Sequence, residues 1–203
     1  MKIVITGALG HIGSRLIREL PVTFPEAHIV IIDDMSAQRY CSLFALPTEG
    51  NYSFVEGDVL EYDLEKLTDG ADVAIHLAAI TDAAGSFKIR EKVEYANFTA
   101  SKRVAEACLK TGTAIIHISS TSVYGTQDKV VDEDCSESDL KPQSPYAETK
   151  LREENFLASL GNSSGLRFVT CRFGTISGVS PGMRFHTAVN KFCWQAVLGQ
   201  PLT

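Results

Sequence analysis

The chain has 203 residues, 44% of them hydrophobic and 22% charged, and a formal net charge of -6. Such proportions belong to an ordinary globular protein with one good core and room for part of a second small domain. The negative balance argues against binding a nucleic-acid backbone, which needs a basic face, but a small anionic ligand can still be held by backbone amides at a helix start. The five cysteines (Cys41, Cys108, Cys135, Cys171 and Cys193) form no Cys-x-x-Cys pair, and the five histidines show no metal-ligand spacing. We therefore expect reduced thiols in a cytoplasmic protein and no metal. No apolar run is long enough to span a membrane, and the N-terminus enters a strand-like segment with no signal peptide ahead of it.

Lys2–Ile5 reads as a short buried strand, followed at once by glycines. A helix is expected from His11 to Leu20, with Ile12, Leu16, Ile17 and Leu20 on one face and Pro21 ending it. Further strands are expected at His28–Asp33, Ser53–Val55, Asp72–Leu77, Ala114–Ser119 and Arg167–Arg172. Helices are expected over roughly Lys88–Lys110, over Tyr146–Leu160 ahead of the Gly161–Gly165 turn, and over about Phe185–Leu198. Near-continuous apolar strands alternating with helices predict an α/β architecture, a doubly wound parallel sheet covered on both faces. The polar, acidic stretch Asp128–Pro145 reads as a loop near the C-terminal edge of that sheet, where ligands bind in such folds. Residues 1–178 are expected to form this domain. Residues 179–203 read as the start of a smaller substrate-binding region that is cut off at Thr203.

Two motifs carry chemistry. In the first, Thr6-Gly7-Ala8-Leu9-Gly10-His11-Ile12-Gly13, three glycines follow a strand and open a helix. Gly7 permits a tight turn, Gly10 lets the backbone approach a pyrophosphate, and Gly13 lets the helix pack closely on the strand. The helix start at His11 and Ile12 supplies amides and a partial positive charge. Asp33 lies 20 residues past Gly13 at the end of the second strand, where a carboxylate accepts from the adenosine ribose hydroxyls and repels a 2′-phosphate. NAD is therefore favoured over NADP. Arg39 nearby softens that preference, and Asp34 competes with Asp33 for the role. Asp58 and Val59 form a second acidic strand end, able to accept the adenine amino group or simply to make a turn. Leu77, Ala78 and Ala79 put small residues where a cofactor can lie against the backbone, or where elements pack closely.

The second motif is Tyr146-Ala147-Glu148-Thr149-Lys150. The i, i+4 spacing puts Tyr146 and Lys150 on one helix face. A tyrosine with a pKa of about 10 is a poor base, but a neighbouring ammonium and the charge of oxidised nicotinamide both favour the phenolate. Tyr146 can then take the proton of a substrate hydroxyl as hydride leaves its carbon. Ser120, at the end of the fifth strand, can hydrogen-bond the same oxygen, with Ser119, Thr121 and Ser122 as competitors.

Together these residues resemble the extended short-chain dehydrogenase/reductase family, and within it the NAD-dependent nucleotide-sugar epimerases and dehydratases. The resemblance runs through Gly7-x2-Gly10-x2-Gly13, Asp33, Gly57-Asp58, His76-Leu77-Ala78-Ala79, Asn97, Ser119-Ser120-Thr121-Ser122-Val123-Tyr124-Gly125 and Ser144-Pro145-Tyr146. It implies a Rossmann-type domain that binds NAD. It also implies Ser120, Tyr146 and Lys150 as catalytic residues, Asn97 as a support of the site, and Lys150 as a partner of the nicotinamide ribose.

Sugar dehydratases carry Asp and Glu after the catalytic threonine. Thr121 and Ser122 stand there in this chain, so the dehydratase branch is set aside. UDP-galactose-type epimerases share the serine at Ser120, but often carry an asparagine where Thr175 stands, and some carry a lysine in place of Thr81. Arg184, Thr187 and Asn190 are candidate contacts to the nucleotide diphosphate. The resemblance thus implies C4 epimerisation of a nucleotide-diphosphate sugar, with a homodimer formed by the helices around Lys88–Lys110 and Tyr146–Leu160. The rivals are a reductase or dehydrogenase using the same residues and a dinucleotide-binding regulatory protein without catalysis.

Overall fold

The structure, a computed structural model, describes residues 1–81 and 90–203. Six strands, β1 (Lys2–Thr6), β2 (His28–Asp33), β3 (Asn51–Glu56), β4 (Val73–His76), β5 (Ala114–Ser120) and β6 (Phe168–Phe173), form one parallel sheet. Their spatial order is β3-β2-β1-β4-β5-β6. This is the doubly wound order, with the chain reversing direction between β1 and β4, and ligands in such sheets bind outside the strand C-termini at that point.

The five described helices are α1 (His11–Thr23), α2 (Leu64–Thr68), α3 (Arg90–Thr111), α4 (Pro145–Ser164) and α5 (Ala188–Val197). Side chains alternate across the pleat, so each strand feeds two cores. Ile3, Ile5, Ile29 and Ile31 pack on Ile17 and Leu20 of α1, while Val4, Ala74 and Ile115 pack on Val104, Cys108 and Leu157 of α3 and α4. Complete burial of such side chains contributes about 1.5–3 kcal/mol each.

The strands match the sequence reading to within a residue or two at each end. Three helix ends do not. Pro21 lies inside α1, which continues to Thr23. Proline has no N–H to offer the carbonyl four residues back, and the Tyr52 hydroxyl supplies the missing donor to Ile17 O at 2.8 Å. Likewise α4 runs through Gly161 to Ser164, because Phe168 fills the space beside Gly161, where a Cβ would lie 2.6 Å from its ring. The helix stops instead at Gly165, in the left-handed conformation at φ 75°. The expected start of α3 at Lys88 lies outside the described residues. α5 begins at Ala188 and not at Phe185. The acidic loop before α4 carries one short 3₁₀ turn at Glu137–Asp139.

Candidate active site

The turn after β1 is built by contacts that only glycine allows. Gly7 has φ 63°, and a Cβ there would stand 2.6 Å from the Ala78 backbone at the end of β4. A Cβ on Gly13 would stand 2.4 Å from Ala8 O. Gly10 differs, since its nearest neighbours would be Gly7 O at 3.3 Å and an Arg39 nitrogen at 3.7 Å. Gly7 and Gly13 are therefore fixed by the protein's own packing, whereas Gly10 leaves space in front of the start of α1. No described side chain caps that helix. The unfilled space, the free first-turn amides and the partial positive charge of the helix start fit a dinucleotide pyrophosphate.

Asp33 closes the other side of this turn. Its carboxylate accepts the Leu9 amide at 3.0 Å and the Met35 amide at 3.1 Å. Burial pushes its carboxyl above the usual range, and the two amides and Arg39 pull it partly back. Asp34 is exposed and accepts the amide and hydroxyl of Ser36, which makes it a local turn residue. Asp58 accepts the Leu60 amide at 2.8 Å, beside buried Val59. Leu77 and Ala78 donate to the Thr6 carbonyl and hydroxyl, at 3.0 and 3.3 Å. Ala79 follows, half-buried, and Asn97 clamps the next peptide by accepting Ile80 N at 2.8 Å and donating to Ile80 O at 2.9 Å.

α4 starts cleanly because Ser144 accepts the Ala147 amide and Pro145 occupies the first turn. From that start α4 packs on both β5 and the 3₁₀ turn Thr121–Tyr124 that follows Ser120, with Lys150 buried. The Lys150 ammonium lies 5.9 Å from the centre of the Tyr146 ring. Ser120 Oγ accepts the Ser122 amide at 3.1 Å and hydroxyl at 2.8 Å, Ser119 is buried, and Thr121 is exposed. Burial pushes the Tyr146 phenol up and Lys150 pulls it down, but Glu153 opposes Lys150, so the phenol stays above its ordinary value.

Glu153 was not singled out from the sequence. Its side chain is fully buried, with Oε2 accepting from Lys150 Nζ at 2.9 Å and lying 3.2 Å from His117 Nε2. Burial alone would raise its carboxyl, but Lys150 and His117 bring it down to about 2. Burial also disfavours the Lys150 cation, and Glu153 reverses that to hold the ammonium above the ordinary lysine range. Next to it, the register aligns Thr6, His76 and His117 on three neighbouring strands. Thr6 Oγ1 and His76 Nδ1 share a hydrogen bond of 2.7 Å, and His76 Nε2 meets Ser101 of α3 at 3.2 Å. A polar row thus crosses an otherwise apolar face, from the glycine turn to Lys150. The sequence signal for Glu153 was its i, i+3 spacing from Lys150 on a helix, but His117 is brought to it only by the fold.

The segment after β6 folds back over the glycine turn. His11 Nε2 donates to Gly178 O at 2.9 Å, Ser180 donates to His11 O at 2.9 Å, and the Gly182 amide donates to Ser14 Oγ at 2.9 Å. A Cβ on Gly182 would lie 2.3 Å from Leu9 O. Ile12 sits half-buried beside His11. Arg184 donates to the hydroxyl of exposed Thr81, Thr187 donates to Ile176 O and Arg184 O just ahead of α5, and Asn190 donates to Arg184 O while accepting from Gly178 N. Thr175 is exposed. Arg172 meanwhile is held by Glu154 and the Tyr124 hydroxyl, which ties β6 to α4 and to the turn after Ser120.

The model of the NAD dependent epimerase/dehydratase family matches residues 3–202. The chain belongs to that family. Its relatives include an uncharacterized UDP-glucose epimerase of Bacillus subtilis, 34% identical over 100% of this chain and 65% of the relative. A trifunctional UDP-glucose 4,6-dehydratase/epimerase/reductase of Arabidopsis thaliana is 33% identical over 99% of this chain and 31% of the relative. Among solved structures, UDP-glucuronic acid 4-epimerase from Bacillus cereus, in complex with UDP-glucuronic acid and NAD, superposes with a TM-score of 0.87. It is 31% identical, over 100% of this chain and 65% of that one. The chain thus spans 31% to 65% of the length of these relatives. Among the described residues no helix is long and apolar enough to cross a membrane, and no cluster of ligands suits a metal ion.

Proposed function

We propose that the chain carries the cofactor-binding and proton-transfer machinery of an epimerase that inverts C4 of a nucleotide-diphosphate sugar through a transient 4-keto sugar. The observation that supports this reading is the packing of α4, which carries Tyr146 and Lys150, on β5 and on the 3₁₀ turn that follows Ser120, at the C-terminal edge of the sheet. Gly7, Gly10, Gly13, Asp33 and the start of α1 would hold NAD, and Lys150 would reach its nicotinamide ribose. NAD supplies reversible acceptance of the C4 hydride.

The chain's own residues then have separable tasks. Ser120 holds the C4 oxygen by a hydrogen bond, and Tyr146 takes the C4 hydroxyl proton as the hydride leaves. The keto sugar turns over within the pocket. Tyr146 returns the proton as the hydride comes back to the other face, so no net redox change occurs. Arg184, Thr187 and Thr175 lie on the segment that would face the nucleotide diphosphate and sugar, with Thr81 opposite Arg184. The absence of a carboxyl group at Thr121 and Ser122 supports epimerisation over dehydration.

A homodimer through α3 and α4 belongs to the same reading, as does a cytoplasmic location, which the five free thiols support. The test is incubation with NAD and a panel of nucleotide sugars, following sugar isomers by NMR and NADH by absorbance. A C4 epimer without net NADH supports the proposal. Net oxidation or reduction without an epimer would transfer the assignment to a dehydrogenase or reductase.

A further inference from the structure

We propose that Glu153 is a positioning residue of the proton-transfer site: held between His117 of β5 and Lys150 of α4, its buried carboxylate fixes the lysine ammonium and balances its charge, so that Tyr146 releases its proton readily only beside a bound cationic cofactor. This inference rests on the proposed roles of Tyr146 and Lys150.

The geometry gives three reasons. First, an ammonium has three donors in no fixed arrangement. One is committed to Glu153 Oε2 at 2.9 Å, which pins the other two for ligand hydroxyls at the site. Second, Glu153 is itself fully enclosed and cannot follow solvent, because α4 holds it from one side and buried His117, on strand β5, from the other. Third, the anion lies one helical turn beyond Lys150 and two beyond Tyr146 on α4, so it offsets at the phenol the ammonium charge that would otherwise activate it. A lysine paired in this way is a weak activator by itself. The positive charge of oxidised nicotinamide would then decide when the phenolate forms, which ties proton removal to cofactor occupancy and spares the free protein a reactive base.

Among the described residues, the charged and titratable groups facing this cluster are Tyr146, Lys150 and Glu154 from α4, His117 from β5, His76 from β4, and Arg184 from the segment after β6. His76 is held neutral by burial, with its pKa lowered to about 3. Glu154 is committed to Arg172. Glu153 is therefore the anion free to govern Lys150.

The test follows Tyr146 directly. Ultraviolet difference absorbance reports phenolate, and subtraction of the Tyr146→Phe titration isolates one of the six tyrosines. Titrations are run on wild type, Glu153→Gln and Glu153→Asp, each with and without NAD, with a thermal melt of every variant. In E153Q without cofactor, the Tyr146 phenolate should appear about one pH unit or more below its wild-type position, and E153D should fall between the two. Added NAD should move wild type further toward acid than it moves E153Q. The acid limb of the turnover profile should move in the same direction as the phenolate.

An E153Q titration that coincides with wild type, or lies above it, would overturn the proposal. So would a loss of rate equal at every pH and tracking the loss of melting temperature. Should E153Q not fold, E153D decides, since retreat of the anion by one methylene must still lower the phenolate titration. If wild type turns over no nucleotide sugar, the proposed function fails on its own, and the titrations still judge Glu153.

Discussion

Replacing Lys150 with methionine should cost the fold far more than a catalytic substitution ordinarily does, because it strands Glu153. The carboxylate is fully buried, and its nearest described cation is the Lys150 ammonium at 2.9 Å. Its pKa, brought from an ordinary 4.5 to about 2, corresponds to about 3 kcal/mol of favourable interaction with the charged form. Removing one partner of a buried pair costs about 3–5 kcal/mol by independent reasoning, so the two figures agree in size. For a chain of this length that is a fall in melting temperature of about 6–20 °C.

The sign of the pH dependence should invert as well. In wild type the folded pKa of Glu153 lies below the unfolded one, so its contribution is complete above about pH 4.5 and is lost as pH falls toward 2. In K150M only His117 still opposes burial, which raises the folded pKa above the unfolded one, so Glu153 destabilises the fold increasingly as pH rises from about 4.5 toward neutrality. Urea unfolding of wild type, K150M and the double variant K150M/E153Q, at pH 5 and pH 7.5, measures this. The double variant should recover most of the loss at pH 7.5 and remain inactive. A K150M loss below about 1 kcal/mol, or no recovery on neutralising Glu153, would refute the charge balance drawn here.

The glycines should separate into two classes. Gly7→Ala and Gly13→Ala drive a Cβ into backbone at 2.6 and 2.4 Å and should lower stability by about 1–3 kcal/mol or more in chemical denaturation. Gly10→Ala should fold nearly as well as wild type and lose NAD affinity in a fluorescence titration. Tyr146→Phe should leave NAD affinity within about twofold while turnover drops by about 10²–10⁴-fold, the scale of general acid–base catalysis. His76, held neutral with a pKa lowered from 6.5 to about 3, contributes stability that is complete above pH 6.5 and lost as pH falls toward 3. His76→Asn should therefore flatten the acid side of a melting-temperature profile across that window, whereas an unchanged slope would show that His76 is not buried in its neutral form.

Much of the fold was legible in the sequence, because parallel strands buried on both faces are written as apolar runs and the glycines mark the first crossover. Asp33 and the pair Tyr146 and Lys150 could be read for the same reason, since their spacings are local. What could not be read depends on contacts distant in sequence. Pro21 reads as a helix end until Tyr52, 31 positions on, donates to the Ile17 carbonyl. Gly161 reads as a turn until Phe168 packs beside it. No local pattern marks Gly182, yet it lies against Leu9 and Gly10 across most of the chain length. Glu153 looks like one more charge on a charged helix, and only the register that brings His117 beneath it shows a buried anion.

The most direct test of the account is the fate of a deuterium label at C4. A nucleotide sugar carrying deuterium on that carbon is incubated with the protein and NAD in ordinary water, and the epimer is analysed by NMR. Hydride transfer at C4, with Tyr146 moving only the hydroxyl proton, predicts that the epimer keeps its deuterium. Replacement of the label by solvent hydrogen would mean that C4 loses a proton, which contradicts the account.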